Sequence, residues 1–260
     1  MEANNTKTTR YGMVIDLDLC TGCGACMVAC AVENNIPPAR PDAGDQTGLT
    51  WIRVYRVDDR GHYPNRREGF VPIPCQQCAH HTPCESVCPQ KAVERDPATG
   101  IVAQVPVRCL GCRYCMTACP YHARYFNWAD PVWPAGMETA LNPEVAPRMR
   151  GVVEKCNFCH GRLQAARARA AAEEREMTET DYQPACAEAC PTKAILFGDL
   201  DDESTEVGRQ AKDGKSFRLL EHLGTDPRVH YRTDRAWLRR ASGGGAPSQD
   251  LHETAEVQHG

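Results

Sequence analysis

The chain has 260 residues, 42% of them hydrophobic, with sixteen cysteines and a formal net charge of −4. That balance, with a pI near 6.1, offers no polybasic field, so nucleic acid is excluded as a partner, and the pairs Arg66-Arg67 and Arg239-Arg240 are only local. A mean hydropathy of −0.52, with no apolar run near the ~18 residues a membrane helix needs, excludes a transmembrane span of the chain's own.

From the N-terminus, Met1 to Arg10 holds neither a twin-arginine pair nor an apolar stretch, so no export signal is expected. Folding inside the cell followed by export on a signal-bearing partner stays open, and so does the side of a membrane. Gly12 to Asp16 predicts a short strand leading to the first cysteine group, Cys20-x2-Cys23-x2-Cys26-x3-Cys30, and Cys26 to Asn34 predicts a short helix after it. Inside the segment Ala31 to Pro74 the alternation of Thr50 to Val57 predicts another strand.

The second group is Cys75-x2-Cys78-x5-Cys84-x3-Cys88. Beyond it, Ala92 to Glu94, the turn Asp96-Pro97-Ala98-Thr99-Gly100 and Ile101 to Val105 read as a hairpin. The third group, Cys109-x2-Cys112-x2-Cys115-x3-Cys119, precedes Trp128 to Met137, whose prolines and aromatics predict an ordered loop. Trp128 and Trp133 are read as packing on their own domain, with partner docking as the rarer use. Cys156-x2-Cys159 and Cys186-x3-Cys190 form the fourth group around an insert, residues 160–185, in which Gly161 to Met177 predicts a surface helix with solvated charges. The polar stretch Ala241 to Gly260, with Gly243-Gly244-Gly245, is expected to be disordered or to wrap a neighbour.

Aligned on their last cysteines, Cys88-Pro89-Gln90-Lys91-Ala92, Cys119-Pro120-Tyr121-His122-Ala123 and Cys190-Pro191-Thr192-Lys193-Ala194 share the pattern C-P-x-x-A, a duplicated unit. Only the first group departs, with Ala31 after Cys30. The run C-x2-C-x2-C-x3-C-P is the spacing in which three thiolates hold one [4Fe–4S] cluster and the fourth reaches the neighbouring cluster. Sixteen cysteines with none left over therefore predict four [4Fe–4S] clusters, and a fold that depends on them because such sites do not exist in an unfolded chain. The rival from another class is a zinc-stabilised scaffold, which gains nothing from three closely spaced cysteines with a fourth pointing away. With no G-x-G-x-x-G fingerprint, P-loop or nucleophile elbow, no catalytic site is expected, and the chain reads as a wire for single electrons.

Met13-Val-Ile-Asp16, Cys20-Thr-Gly-Cys-Gly-Ala-Cys26, Cys119-Pro-Tyr121, Arg124-Tyr-Phe-Asn127, Glu154-Lys-Cys-Asn-Phe-Cys159, Pro184-Ala-Cys186 and Phe197-Gly-Asp-Leu200 carry a resemblance over about three-quarters of the chain. The chain resembles the iron–sulfur electron-transfer subunits of bacterial molybdopterin oxidoreductases, such as the dimethyl sulfoxide, polysulfide, tetrathionate and arsenate reductases and sulfite dehydrogenase. The resemblance implies an α+β fold of tandem two-cluster ferredoxin-like modules with loop and helix insertions. Residues 1–199 would form the four-cluster region, with groups one and four paired and groups two and three paired, and 200–260 a C-terminal extension.

By position, the resemblance assigns one cluster to Cys20, Cys23, Cys26 and Cys190, and its pair to Cys30, Cys156, Cys159 and Cys186. A third takes Cys75, Cys78, Cys84 and Cys119, and the last takes Cys88, Cys109, Cys112 and Cys115. Cys112 favours a four-iron cluster, since nitrate reductase relatives have Trp there with a three-iron cluster. The implied partners are a molybdopterin catalytic subunit, which the 31–74 insert would meet, and an integral membrane quinone-binding subunit. The protein would then lie at the bacterial cytoplasmic membrane through those partners. The alternative is a quinone-linked complex such as menaquinone reductase or alternative complex III.

His80 and His81, in the widened second-group spacer, are read as solvated rather than as ligands, and Tyr121 and His122 as polar surface groups rather than quinone-proximal ones. Arg108, Arg113 and Lys155, beside ligand cysteines, are candidates for raising a cluster's potential.

Overall fold

The computed structural model describes residues 9–38 and 49–244; the first eight positions, part of the 31–74 insert and the end of the polar tail lie outside the described residues. β1 (Tyr11–Asp16) is the expected strand, and Met13, Val14 and Ile15 are fully buried because strands flank it on both edges. The first cysteine loop leads into α1 (Ala25–Glu33), and within the 31–74 segment β2 (Ile52–Asp58) and β3 (Glu68–Pro74) form an antiparallel hairpin. After the second group's one-turn helix α2 (Pro83–Ser86) come the hairpin strands β4 (Val93–Arg95) and β5 (Val102–Gln104), as the turn chemistry predicts.

The third group supplies α3 (Tyr114–Ala118), followed by β6 (Tyr125–Phe126), which pairs with β7 (Val153–Glu154) ahead of the fourth group. Helix α4 (His160–Ala172) buries Leu163, Ala166 and Ala170 as one stripe and turns its charges outward. It ends before the expected Met177: Glu174 adopts a left-handed φ of 51°, and Arg175 folds back to pair with Glu173 and with Asp181 at 2.7 Å. Next come α5 (Ala185–Glu188), β8 (Ile195–Asp199), α6 (Glu206–Ala211), β9 (Ser216–Phe217), β10 (Val229–Arg232) and α7 (Ala236–Ala241). No helix among the described residues is long and apolar enough to cross a membrane.

The missing proline in the first group has a visible effect. A proline lacks the N–H a helix needs and forces the residue before it into extended backbone, so helices end ahead of it. Where Pro follows the last cysteine, α2, α3 and α5 have four, five and four residues; where Ala31 follows Cys30, α1 runs to nine.

The C-terminal region departs from expectation. Instead of an extension beginning at residue 200, it completes the main sheet, whose order is β8-β1-β10-β9, with β10 parallel to β1. The reason is burial. Val229 and Tyr231 are fully buried against β1, and the Tyr231 hydroxyl donates to the Pro72 carbonyl at 3.0 Å while accepting from Gln76 at 3.1 Å. Ala79 and Arg228 add backbone bonds between this region and the second cysteine loop, at 2.8 and 2.9 Å. Trp128 departs too: its ring is 43% exposed and stacks edge-on against Phe126, 4.7 Å between centroids, rather than entering a core.

On β10, His230 titrates well below its ordinary value of 6.5, near 4, because burial disfavours the imidazolium and Arg218 and Arg10 repel it, against the opposing pull of Asp226. The unfolded chain takes up a proton below pH 6.5 that the folded ring refuses. Stability is therefore full above that pH and is lost progressively as pH falls toward 4, by roughly 1 to 3 kcal/mol. His230→Gln should flatten this slope in anaerobic denaturation curves; an unchanged slope would assign it to other groups.

Candidate metal centres

The first C-x2-C turn of each group has the same form. The residue before the second cysteine is left-handed in each: Gly22 (φ 72°), Gln77 (49°), Gly111 (75°) and Phe158 (56°). Glycine is required at two of them, since a Cβ on Gly22 would stand 2.4 Å from the Phe70 ring of β3 and one on Gly111 2.4 Å from the Gly151 carbonyl. At the other two, tertiary contacts offset a cost of about 1 to 2 kcal/mol. Gln77 is clamped by donation to the Cys156 carbonyl at 2.8 Å and by a bond from the Val102 N–H at 2.7 Å, and Phe158 is wholly buried.

The C-P-x-x-A copies also share a geometry. Lys91, His122 and Lys193 are left-handed, with φ of 47°, 49° and 54°. Each donates its N–H to the carbonyl of the repeat's cysteine at 3.2 Å. The turn sets the next residue's N–H on the cysteine sulfur, Ala92 on Cys88 and Ala194 on Cys190 both at 3.2 Å, and Ala123 on Cys119.

These loops bring the sulfurs together in four sets, each joining three or fewer cysteines of one group to one or more of another. Cys20, Cys23, Cys26 and Cys190 lie within mutual electrostatic reach, as do Cys30, Cys156, Cys159 and Cys186. Cys75, Cys78, Cys84 and Cys119 line one cavity; Cys88, Cys109, Cys112 and Cys115 line another. Electrostatic reach between sets runs in a row: Cys26 with Cys30 and Cys186, then Cys156 with Cys75, then Cys84 with Cys115. The first and last sets each contain an exposed cysteine, Cys23 and Cys112.

Burial first, and neighbouring sulfurs second, push these thiols up, to about 11 for Cys26 and about 12 for Cys78 and Cys156. Such groups ionise at neutral pH only against bound positive charge. The donors around them fit that state, since N–H groups of Phe158 and Val153 also point at Cys156 and Cys109 sulfurs at 3.5 Å. Four zinc thiolates would each stand about 2.3 Å from one point, and no three His, Cys, Asp or Glu side chains among the described residues converge in that way.

The other candidates fall mostly at the surface. Arg108 pairs with Glu94, and the Arg113 guanidinium lies 4.9 Å over the Trp128 ring. Lys155 is buried, with its ammonium on the carbonyls of Val102 and Cys156. His80, His81 and His122 are exposed, and Tyr121 is half-buried with its hydroxyl 2.6 Å from Thr225 Oγ1. Sequence reasoning missed Asn34, which donates to the Cys30 sulfur at 3.7 Å, and two groups within electrostatic reach of a cysteine sulfur, Thr225 at Cys78 and Arg124 at Cys115. Arg124 did carry a signal, for it occupies the repeat position that Val93 and Ile195 fill with buried aliphatics.

A mixed helix and strand fold that gathers cysteine sulfurs from separate loops is that of a ferredoxin-type iron–sulfur protein. Two family models match, a 4Fe-4S dicluster domain over residues 67–136 and a 4Fe-4S binding domain over 11–32. The chain is 51% identical to the iron–sulfur cluster-binding subunit of menaquinone reductase from Nitratidesulfovibrio vulgaris, over 89% of this chain and 91% of that protein. It is 36% identical to iron–sulfur subunit 1 of an Hdr-like menaquinol oxidoreductase from Archaeoglobus fulgidus, over 85% and 82%. To the iron–sulfur subunit of arsenate respiratory reductase from a Shewanella species it is 33% identical, over 85% and 95%. The chain belongs to this family, the [4Fe–4S] ferredoxin-like electron-transfer subunits of molybdopterin-type oxidoreductase complexes.

Proposed function

We propose that each of the four cysteine sets holds one [4Fe–4S] cluster, so that the chain is two tandem two-cluster modules, groups one and four forming one and groups two and three the other. The clusters would supply one-electron redox chemistry; the chain spaces them, shields them and offers N–H donors to their sulfurs. The observation that carries this reading is the row of sets with an exposed cysteine at either end.

Exposed apolar side chains stand close in sequence to both exposed cysteines: Leu19 (48% exposed) and Val28 (65%) to Cys23, and Leu110 (56%) and Tyr114 (59%) to Cys112. Exposed apolar side chains of this kind fit subunit contacts. The chain would thus join a molybdopterin catalytic subunit to an integral membrane quinone-binding subunit, bind no substrate itself and sit at the membrane through those partners. A quinone-linked complex of the menaquinone reductase kind is the second reading, favoured by the 51% identity to that relative.

Metal and acid-labile sulfide analysis of the anaerobically purified protein, with low-temperature EPR after reduction, tests the proposal. About 16 iron and equal sulfide per chain with coupled signals is the expected result. Zinc without sulfide would overturn it. Copurifying molybdenum supports the first complex, and multihaem cytochrome the second.

A further inference from the structure

Arg124 is a guanidinium buried among sulfurs. It is 3% exposed, and its electrostatic partners are the sulfurs of Cys84, Cys115 and Cys75. Its Nη2 donates to Gln104 Oε1, while Nε and Nη1 are buried with no protein acceptor. Arg124 lines the cavity of Cys75, Cys78, Cys84 and Cys119, whereas its acceptor Gln104 lines that of Cys88, Cys109, Cys112 and Cys115. The two side chains thus connect the two cavities.

Burying a cation costs several kcal/mol unless negative charge surrounds it. At Arg124 that charge is thiolate, and the unpartnered N–H groups are free to bond to cluster sulfur. Lys155 borders the first of these cavities as well, but its two ammonium contacts are backbone carbonyls.

Given the cluster assignment above, on which this rests, we propose that Arg124 is a fixed cation shared by the 75/78/84/119 and 88/109/112/115 clusters, and that it raises the reduction potential of both. Reduction adds one electron to a cluster already carrying net negative charge with its four thiolates; no bond is made or broken and no proton moves. A buried cation stabilises the reduced form more than the oxidised one. Arg124 therefore acts as a positioning residue for the electron, keeping two adjacent steps of the row accessible together.

Potentiometric titration of the holoprotein, followed by EPR, separates this from a packing role. In Arg124→Gln the reduced-to-oxidised ratio of two clusters at a fixed potential should fall about tenfold, which is about 59 mV for a one-electron couple, with the other two unmoved. Arg124→Lys should hold both close to wild type. Gln104→Glu, which sets a carboxylate against the guanidinium, should lower the same two.

Four unmoved midpoints in Arg124→Gln with full iron and sulfide overturn the proposal, as does an Arg124→Lys variant that falls as far as Arg124→Gln. Should Arg124→Gln not retain its iron, unmoved midpoints in Gln104→Glu overturn it equally. A wild-type protein without clusters overturns the electron-conduit reading instead.

Discussion

Chelation of iron from the purified protein is expected to abolish cooperative folding, beginning in the region of the second and third groups. The core there is Cys84, Val93, Val102, Cys115 and Val153, so two of its five buried members are cysteines proposed to hold clusters. Around it stand a hairpin of three-residue strands and helices of four and five residues. Elements so short are not stable by themselves.

The larger core is built on the four-stranded sheet, with many buried aliphatic and aromatic side chains besides its cysteines, and should keep residual structure. Structural metal contributes about 10 kcal/mol to small metal-dependent domains, as much as the whole stability of a typical fold at about 5 to 15 kcal/mol. Because ligation must expel protons from thiols held near 11 to 12, iron loss should also quicken as pH falls. Hydrogen exchange during chelation is the measurement. Protected amides in Val93 to Gln104 after complete iron loss would show that side-chain packing alone holds the module.

Cys119→Ala should remove a cluster from a different cysteine group than its own. Cys119 lies within electrostatic reach of Cys75, Cys78 and Cys84, while Cys109, Cys112 and Cys115 of its own group share their cavity with Cys88. Iron should fall from about 16 to about 12 per chain, and the missing EPR signal should match that lost in Cys84→Ala. It should differ from the one lost in Cys115→Ala. Since the affected set stands inside the row, electron transfer between the two ends should stop. If Cys119→Ala and Cys115→Ala instead lose the same signal, each group binds its own cluster and the crossed sets are wrong.

The turns of the cysteine loops were legible in the sequence because their geometry is local. Spacings of two and three residues, a glycine at Gly22 and Gly111, and a proline after Cys88, Cys119 and Cys190 each act within a few residues, and the helix lengths follow the prolines. The hairpin about Asp96 to Gly100 and the strand before the first group were readable for the same reason. The sequence by itself thus determined the iron–sulfur class of the chain and the local turns of its cysteine loops.

Only tertiary structure decided how those parts stand to one another. The order of the four sets, the exposure of Cys23 and Cys112 alone among the cysteines, and the place of β10 at the centre of the sheet depend on contacts between residues far apart in the chain. In β10, two buried residues alternate with His230 and Arg232, too short a pattern to announce a central strand. Arg124 makes the same point, for a charged side chain ordinarily belongs in water. Its burial becomes tenable only where folding has gathered thiolates from separate groups around it, and no local pattern can supply that negative charge.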